Sequence, residues 1–245
     1  MKKLYEKTEL GFALMWIGIY CVLMSVGDNL SANIGLEKSI ALPIALILSA
    51  VLIWFLKKND LFEKYGLCKS VVSAKQMLYY LPIFVLLTAN LWYGIKLNMS
   101  LVESILYILV MLGVGFLEEM IFRGLLFKAM LKDNVKAAII VSSLTFGMGH
   151  IINLMNGSGA ELVPNLLQVI YASAAGFMFV MIYHRTKSLF VCIITHGLFN
   201  ALSVFANEAS MTMQDRMISC AFLVLISGGY AVYIALKIRK DYAKA

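Results

Sequence analysis

The chain has 245 residues, 61% of them hydrophobic and 14% charged, with a mean hydropathy of +0.84. Soluble domains average about half apolar and a quarter charged, so composition excludes an ordinary soluble enzyme and points to a polytopic membrane protein. The formal charge of +7 does not imply a nucleic-acid partner, because the basic residues flank apolar segments as membrane topology requires.

Eight apolar segments follow one another, at roughly 9–26, 40–56, 76–95, 101–131, 137–153, 162–183, 188–206 and 217–237. The expected fold is all-α, with about eight transmembrane helices in a single membrane-embedded domain covering residues 1–245. The first segment follows Lys2, Lys3 and Lys7 as a signal peptide would, but no small-residue cleavage site precedes Asp28, so it reads as a retained anchor. The fourth is too long for one simple span, and its end, with Lys128 and Lys132, is expected to leave the membrane. Four scattered cysteines (Cys21, Cys68, Cys192, Cys220) form no CxxC pair and suggest neither a disulfide framework nor a thiolate zinc site.

Charge in the connections sets the expected orientation. The N-terminus, the 57–75 loop with five lysines, the 128–136 turn, residues 184–187 and the tail KIRKDYAKA are basic. The connections around 27–39, 96–100, 153–161 and 207–216 are poor in positive charge, with Lys38, Lys96 and Arg216 the exceptions. This alternation places both termini in the cytoplasm. Lysine outnumbers arginine seventeen to four, which leans toward a bacterial cell membrane.

Ionisable side chains at membrane depth cost several kcal/mol and usually face a protein interior and work there. In segment 4, GVGFLEEMIFRGLLF carries Glu119 and Arg123 four residues apart, glutamate first, the favourable order for a helical ion pair. Glu118 points about 100° away around an α-helix and has no partner at helical spacing. Segment 5 carries Phe146 and His150 four apart, and segment 7 carries His196 and Asn200 four apart, each pair on one helical face. At about 1.5 Å rise per residue, Glu118, His150 and His196 lie roughly 15, 20 and 13 Å from their basic flanks. Three helices thus deliver polar groups to a similar level, nearer the cytoplasmic half. The third histidine, His184, falls in a basic connection and reads as solvated. Phe146 reads as packing. Glycines 113, 115, 124, 147, 149 and 197 allow close helix approach or access for an extended substrate.

A carboxylate, two imidazoles and an amide in an apolar pocket suit hydrolysis. Glu118 can take a proton from water as general base, with an imidazole orienting that water. A histidine and an asparagine one turn apart can donate to a developing oxyanion.

The patterns EExxxR (Glu118 to Arg123), FxxxH (Phe146 to His150) and HxxxN (His196 to Asn200) resemble those of the CPBP family of intramembrane proteases. That family includes the Ras-converting CAAX endopeptidases and the Abi-type, bacteriocin-immunity-associated proteins. The resemblance covers roughly residues 100–205. It implies a glutamate-dependent endopeptidase, without cofactor, that cuts near the C-terminus of a membrane-associated peptide or protein. Carried over by position, Glu118 is the general base with His150 as its partner, His196 and Asn200 form the oxyanion site, and Glu119 and Arg123 brace the motif helix. A physiological role in bacteriocin immunity or peptide-pheromone processing would follow.

Three other readings stand beside it. Glu118, His150 and His196 could hold a zinc ion with an open position for water, although no HExxH pair exists and Arg123 would oppose a nearby cation. A secondary transporter would also bury these groups, but no internal repeat is visible. A non-enzymatic immunity or scaffold protein could retain the same fold. The substrate and the oligomeric state are not legible.

Overall fold

The computed structural model describes residues 1–156 and 159–242; the last residues of the basic tail (243–245) and part of the 153–161 connection (157–158) lie outside the described residues. The architecture is all-α, an integral membrane protein. Among the described residues, six helices are long and apolar enough to cross a bilayer: Glu9–Ile34, Ala41–Lys58, Leu101–Leu131, Val135–Leu154, Leu162–Thr186 and Met213–Arg239. Two apolar helices, Leu81–Leu91 and Phe190–Phe205, are shorter than a simple crossing requires.

Local sequence explains most boundaries. After a short α1 (Lys2–Lys7), the Thr8 hydroxyl accepts from Gly11 N at 3.1 Å and starts α2 (Glu9–Ile34). Gly35, at φ 77°, ends it in the left-handed region that glycine adopts without strain. α3 (Ala41–Lys58) closes on Lys57 and Lys58, which favour the negative end of the helix dipole. The third apolar segment is broken where the sequence suggested one helix. A 3₁₀ stretch, Ala74–Tyr80, opens with a Ser73–Gln76 capping box, and α4 (Leu81–Leu87) is followed by a 3₁₀ turn, Ala89–Leu91. Pro82 near the start of α4 lacks an N–H to join the preceding turn, and Tyr80 sits at φ 56°.

A Ser100–Glu103 capping box opens α5 (Leu101–Glu118), which continues as a π-helix (Glu119–Phe127) and α6 (Lys128–Leu131). The Asn134 side chain accepts from Ala137 N at 3.0 Å to start α7 (Val135–Gly149), which tightens into a 3₁₀ turn at His150–Leu154. α8 (Leu162–Thr186), α9 (Phe190–Leu202) and α10 (Met213–Tyr242) complete the chain.

The most extensive pairings are α8 with α10, α5 with α9 and α7 with α8. Small residues make the last two possible. A Cβ on Gly115 would lie 2.5 Å from Gly197 N, and one on Gly147 would lie 2.0 Å from Ser173 Oγ. Gly113 and Gly149 have no such neighbour, so only part of the glycine set serves close approach. Large apolar side chains such as Leu46, Ile47, Trp54, Leu225 and Val232 remain exposed, as a lipid-facing surface allows.

The connections sort into two ends. Lys64 Nζ donates to the Tyr5 hydroxyl at 2.8 Å and pairs with Glu9 at 3.0 Å, Val71 N bonds Thr186 O, Leu189 N bonds Gly66 O, and Arg185 pairs with Asp241. These contacts gather the basic segments. At the other end, Asn29 Nδ2 donates to Asn156 O at 2.9 Å and Asn98 Nδ2 to Ala206 O at 2.9 Å. Two of the three cationic exceptions there are neutralised: Lys38 pairs with Asp28 at 2.8 Å and Arg216 with Glu208 at 3.1 Å. His184 departs from the expectation of a solvated loop residue. α8 runs on to Thr186, so His184 is half-buried in its last turn with its ring edge-on to Phe127.

Candidate active site

The EExxxR stretch straddles the end of α5 and the start of the π-helix, a geometry often found at functional sites. All nine residues from Glu119 to Phe127 are buried, against α2, α7 and α8. Glu119 and Arg123 meet as the spacing predicts: Arg123 Nη1 donates to Glu119 Oε1 at 3.0 Å, with neither side chain exposed. The Arg123 guanidinium also lies 4.0 Å from the Phe146 ring centroid and 5.4 Å from that of Phe179, a favourable stacking for a desolvated cation. Phe146 therefore packs, as expected, but against a charge.

Glu119 does more than brace. Its Oε1 also lies 2.8 Å from His196 Nδ1. The other ring nitrogen, Nε2, faces Glu118 Oε2 at 3.4 Å. The imidazole stacks on Phe179 (5.7 Å, 23°) and receives the Phe146 ring edge-on (5.4 Å, 90°). His196 is thus held by its ring packing and by the hydrogen bond at Nδ1, while Nε2 only approaches Glu118.

Glu118 lacks a partner on its own helix but gains one from α2. The Tyr20 hydroxyl donates to Glu118 Oε1 at 2.6 Å. Tyr20 is a residue that the sequence did not single out. It lies 98 residues away, in a segment whose other residues are ordinary for a transmembrane helix. Glu118 Oε2 is left with no hydrogen bond from the protein, an acceptor open to a water.

His150 stands where α7 gives way to a 3₁₀ turn, and the Asn165 side chain of α8 donates to its carbonyl at 2.9 Å. Its ring meets Phe146 edge-on at 5.6 Å, so one phenylalanine separates the two histidines. His150, His196 and Asn200 line a common cavity of about 60 Å³, with Phe146, Phe179 and Thr195, larger than one water needs. Glu118 is not among the lining residues; it approaches His196, which is, at 3.4 Å. The structure therefore brings Glu118, Glu119, Arg123 and His196 into direct contact and sets His150 and Asn200 beside them.

Residues 100–202 match the family described as Type II CAAX prenyl endopeptidase Rce1-like, which agrees with the motif resemblance. The chain is also similar to a UPF0719 transmembrane protein of Aquifex aeolicus (strain VF5), at 22% identity over 70% of this chain and 66% of that protein. YdiL of Bacillus subtilis (strain 168), by its name a candidate membrane peptidase, is 35% identical over 36% of this chain and 31% of its own length. The chain thus matches less than two thirds of the length of either relative. No solved structure matches.

Proposed function

We propose that the chain is a metal-free intramembrane endopeptidase that hydrolyses a peptide bond near the C-terminus of a membrane-associated protein or peptide. One observation carries the reading: buried Glu119, Arg123 and His196, with part-buried Glu118 against His196, border a cavity lined by His150, His196 and Asn200.

In this mechanism Glu118 Oε2 takes a proton from a water that His150 helps to orient, while Tyr20 holds the other carboxylate oxygen. The water oxygen adds to the scissile carbonyl. His196 Nε2–H and the Asn200 amide donate to the oxyanion, and Glu119 keeps the imidazole in register through Nδ1. On collapse, the Glu118 carboxyl returns its proton to the leaving amine, and the C–N bond breaks.

The donor set supports hydrolysis without zinc, because both His196 nitrogens face carboxylates and ligation would break one of these contacts. Exported peptide pheromones, bacteriocin precursors and lipid-anchored proteins are the substrate classes this reading favours, in a bacterial cell membrane with both termini cytoplasmic. The test compares wild type with Glu118→Gln in detergent on a quenched peptide library carried on a lipid anchor, with and without chelator. Cleavage lost only in Glu118→Gln is expected. Loss on chelation would overturn the metal-free mechanism, and an active Glu118→Gln would overturn the role of Glu118.

A further inference from the structure

A second cavity, of about 510 Å³, opens beside the site, a size typical of ligand pockets. Its wall draws on Asn90 and Tyr93, on 159–161 and on 206–208, all at the end away from the basic loops. It shares Gln168, Tyr171, Phe199 and Leu223 with the small cavity at His150, His196 and Asn200. The two spaces therefore abut, and the candidate site is approached from the lysine-poor end.

The wall chemistry selects among ligands. Arg216 is the one cation on the described wall, and Glu208 already holds it at 3.1 Å, so an anion finds no free positive charge. Amide side chains are plentiful: Asn90, Asn165, Gln168 and Asn207. Asn165 is 2% exposed, and while its Nδ2 holds the His150 carbonyl, its Oδ1 is buried without a hydrogen-bond partner. A buried acceptor left unpaired costs about 1–3 kcal/mol, and this one belongs to a residue of the cavity wall. Polypeptide backbone, with one donor and one acceptor per residue, suits such a wall.

We infer that this cavity is the docking vestibule for the polypeptide flanking the scissile bond, and that the substrate reaches the site from the face opposite the basic loops. By the charge rule that face is extracytoplasmic, so the substrate class is an exported or surface-exposed peptide segment rather than a cytosolic tail. The inference rests on the endopeptidase reading.

The test begins with the full chain lacking Cys21, Cys68, Cys192 and Cys220, carrying Gln168→Cys, Asn207→Cys or Lys64→Cys, in right-side-out and inverted vesicles. A membrane-impermeant maleimide is the probe. Gln168→Cys and Asn207→Cys are expected to react only from the face at which Lys64→Cys is silent. Labelling of Gln168→Cys from the Lys64 face, or no labelling of it at all, would overturn the entry route. The purified Gln168→Cys protein is then plugged with a bulky maleimide and assayed on the lipid-anchored peptide library. Plugging is expected to lower cleavage at least about tenfold. Unchanged cleavage would leave the cavity a water path and overturn peptide docking. If the wild type cleaves no peptide at all, the endopeptidase reading itself fails, and with it the peptide's place here. A wild type that cleaves while plugging is silent sinks the vestibule alone.

Discussion

Removing the positive half of the buried pair should be far worse than removing both halves. In Arg123→Met, the Glu119 carboxylate remains wholly buried with its Oε1 facing only His196, and the stacking on Phe146 at 4.0 Å disappears. Breaking a buried pair in this way costs about 3–5 kcal/mol, which for a chain of this size lowers the Tm by roughly 6–20 °C. Replacing both partners by apolar side chains is often neutral, so Glu119→Met with Arg123→Met should recover to within roughly 5 °C of wild type. Cleavage should stay at least about a hundredfold down in that recovered double variant, because His196 Nδ1 has lost the carboxylate that holds it. Thermal unfolding in detergent, followed by tryptophan fluorescence, and the peptide assay read these two effects separately. An Arg123→Met protein melting within about 2 °C of wild type, or a double variant no more stable than the single, would refute the clamp argument.

Tyr20→Phe removes the 2.6 Å donor to Glu118 Oε1; a hydrogen bond to a charged group is worth about 1.5–3 kcal/mol, so stability should fall by that amount, checked by thermal unfolding. Unaltered stability would place the hydroxyl outside the Glu118 network. Gly115→Ala inserts a methyl 2.5 Å from Gly197 N and should cost about 1–3 kcal/mol by forcing α5 and α9 apart, with a loss of monodisperse protein on gel filtration. Gly149→Ala meets nothing within 4 Å and should leave that elution profile intact. Glu118→Gln should preserve the Tm within about 3 °C, since its surroundings keep their shape, while abolishing cleavage; a variant that fails to fold would make Glu118 a structural residue.

Some of this was legible before any coordinates. Apolar length and the placement of lysines identify a helical membrane chain, because hydrocarbon tolerates few spanning structures and charged loops stay on one side. The Glu119–Arg123 pair follows from local helix spacing, and its burial in lipid-compatible sequence demanded a partner. The motifs at Glu118, His150, His196 and Asn200 were readable for the same reason, since polar groups in apolar segments stand out one by one.

Tertiary packing decided the rest. No local spacing reveals that Tyr20 caps Glu118, or that Glu119 serves His196 as well as Arg123, because these contacts join helices 98 and 77 residues apart in the chain. The π-helical turn at Glu119–Phe127 and the broken third segment arise where packing and Pro82 override the α-helical pattern. The vestibule is a shape left between helices, and a shape of that kind has no signature in any single segment. Sequence set which groups are present at membrane depth; only the crossings of α5 with α9, allowed by Gly115 and Gly197, and of α7 with α8, allowed by Gly147, decided which of them touch.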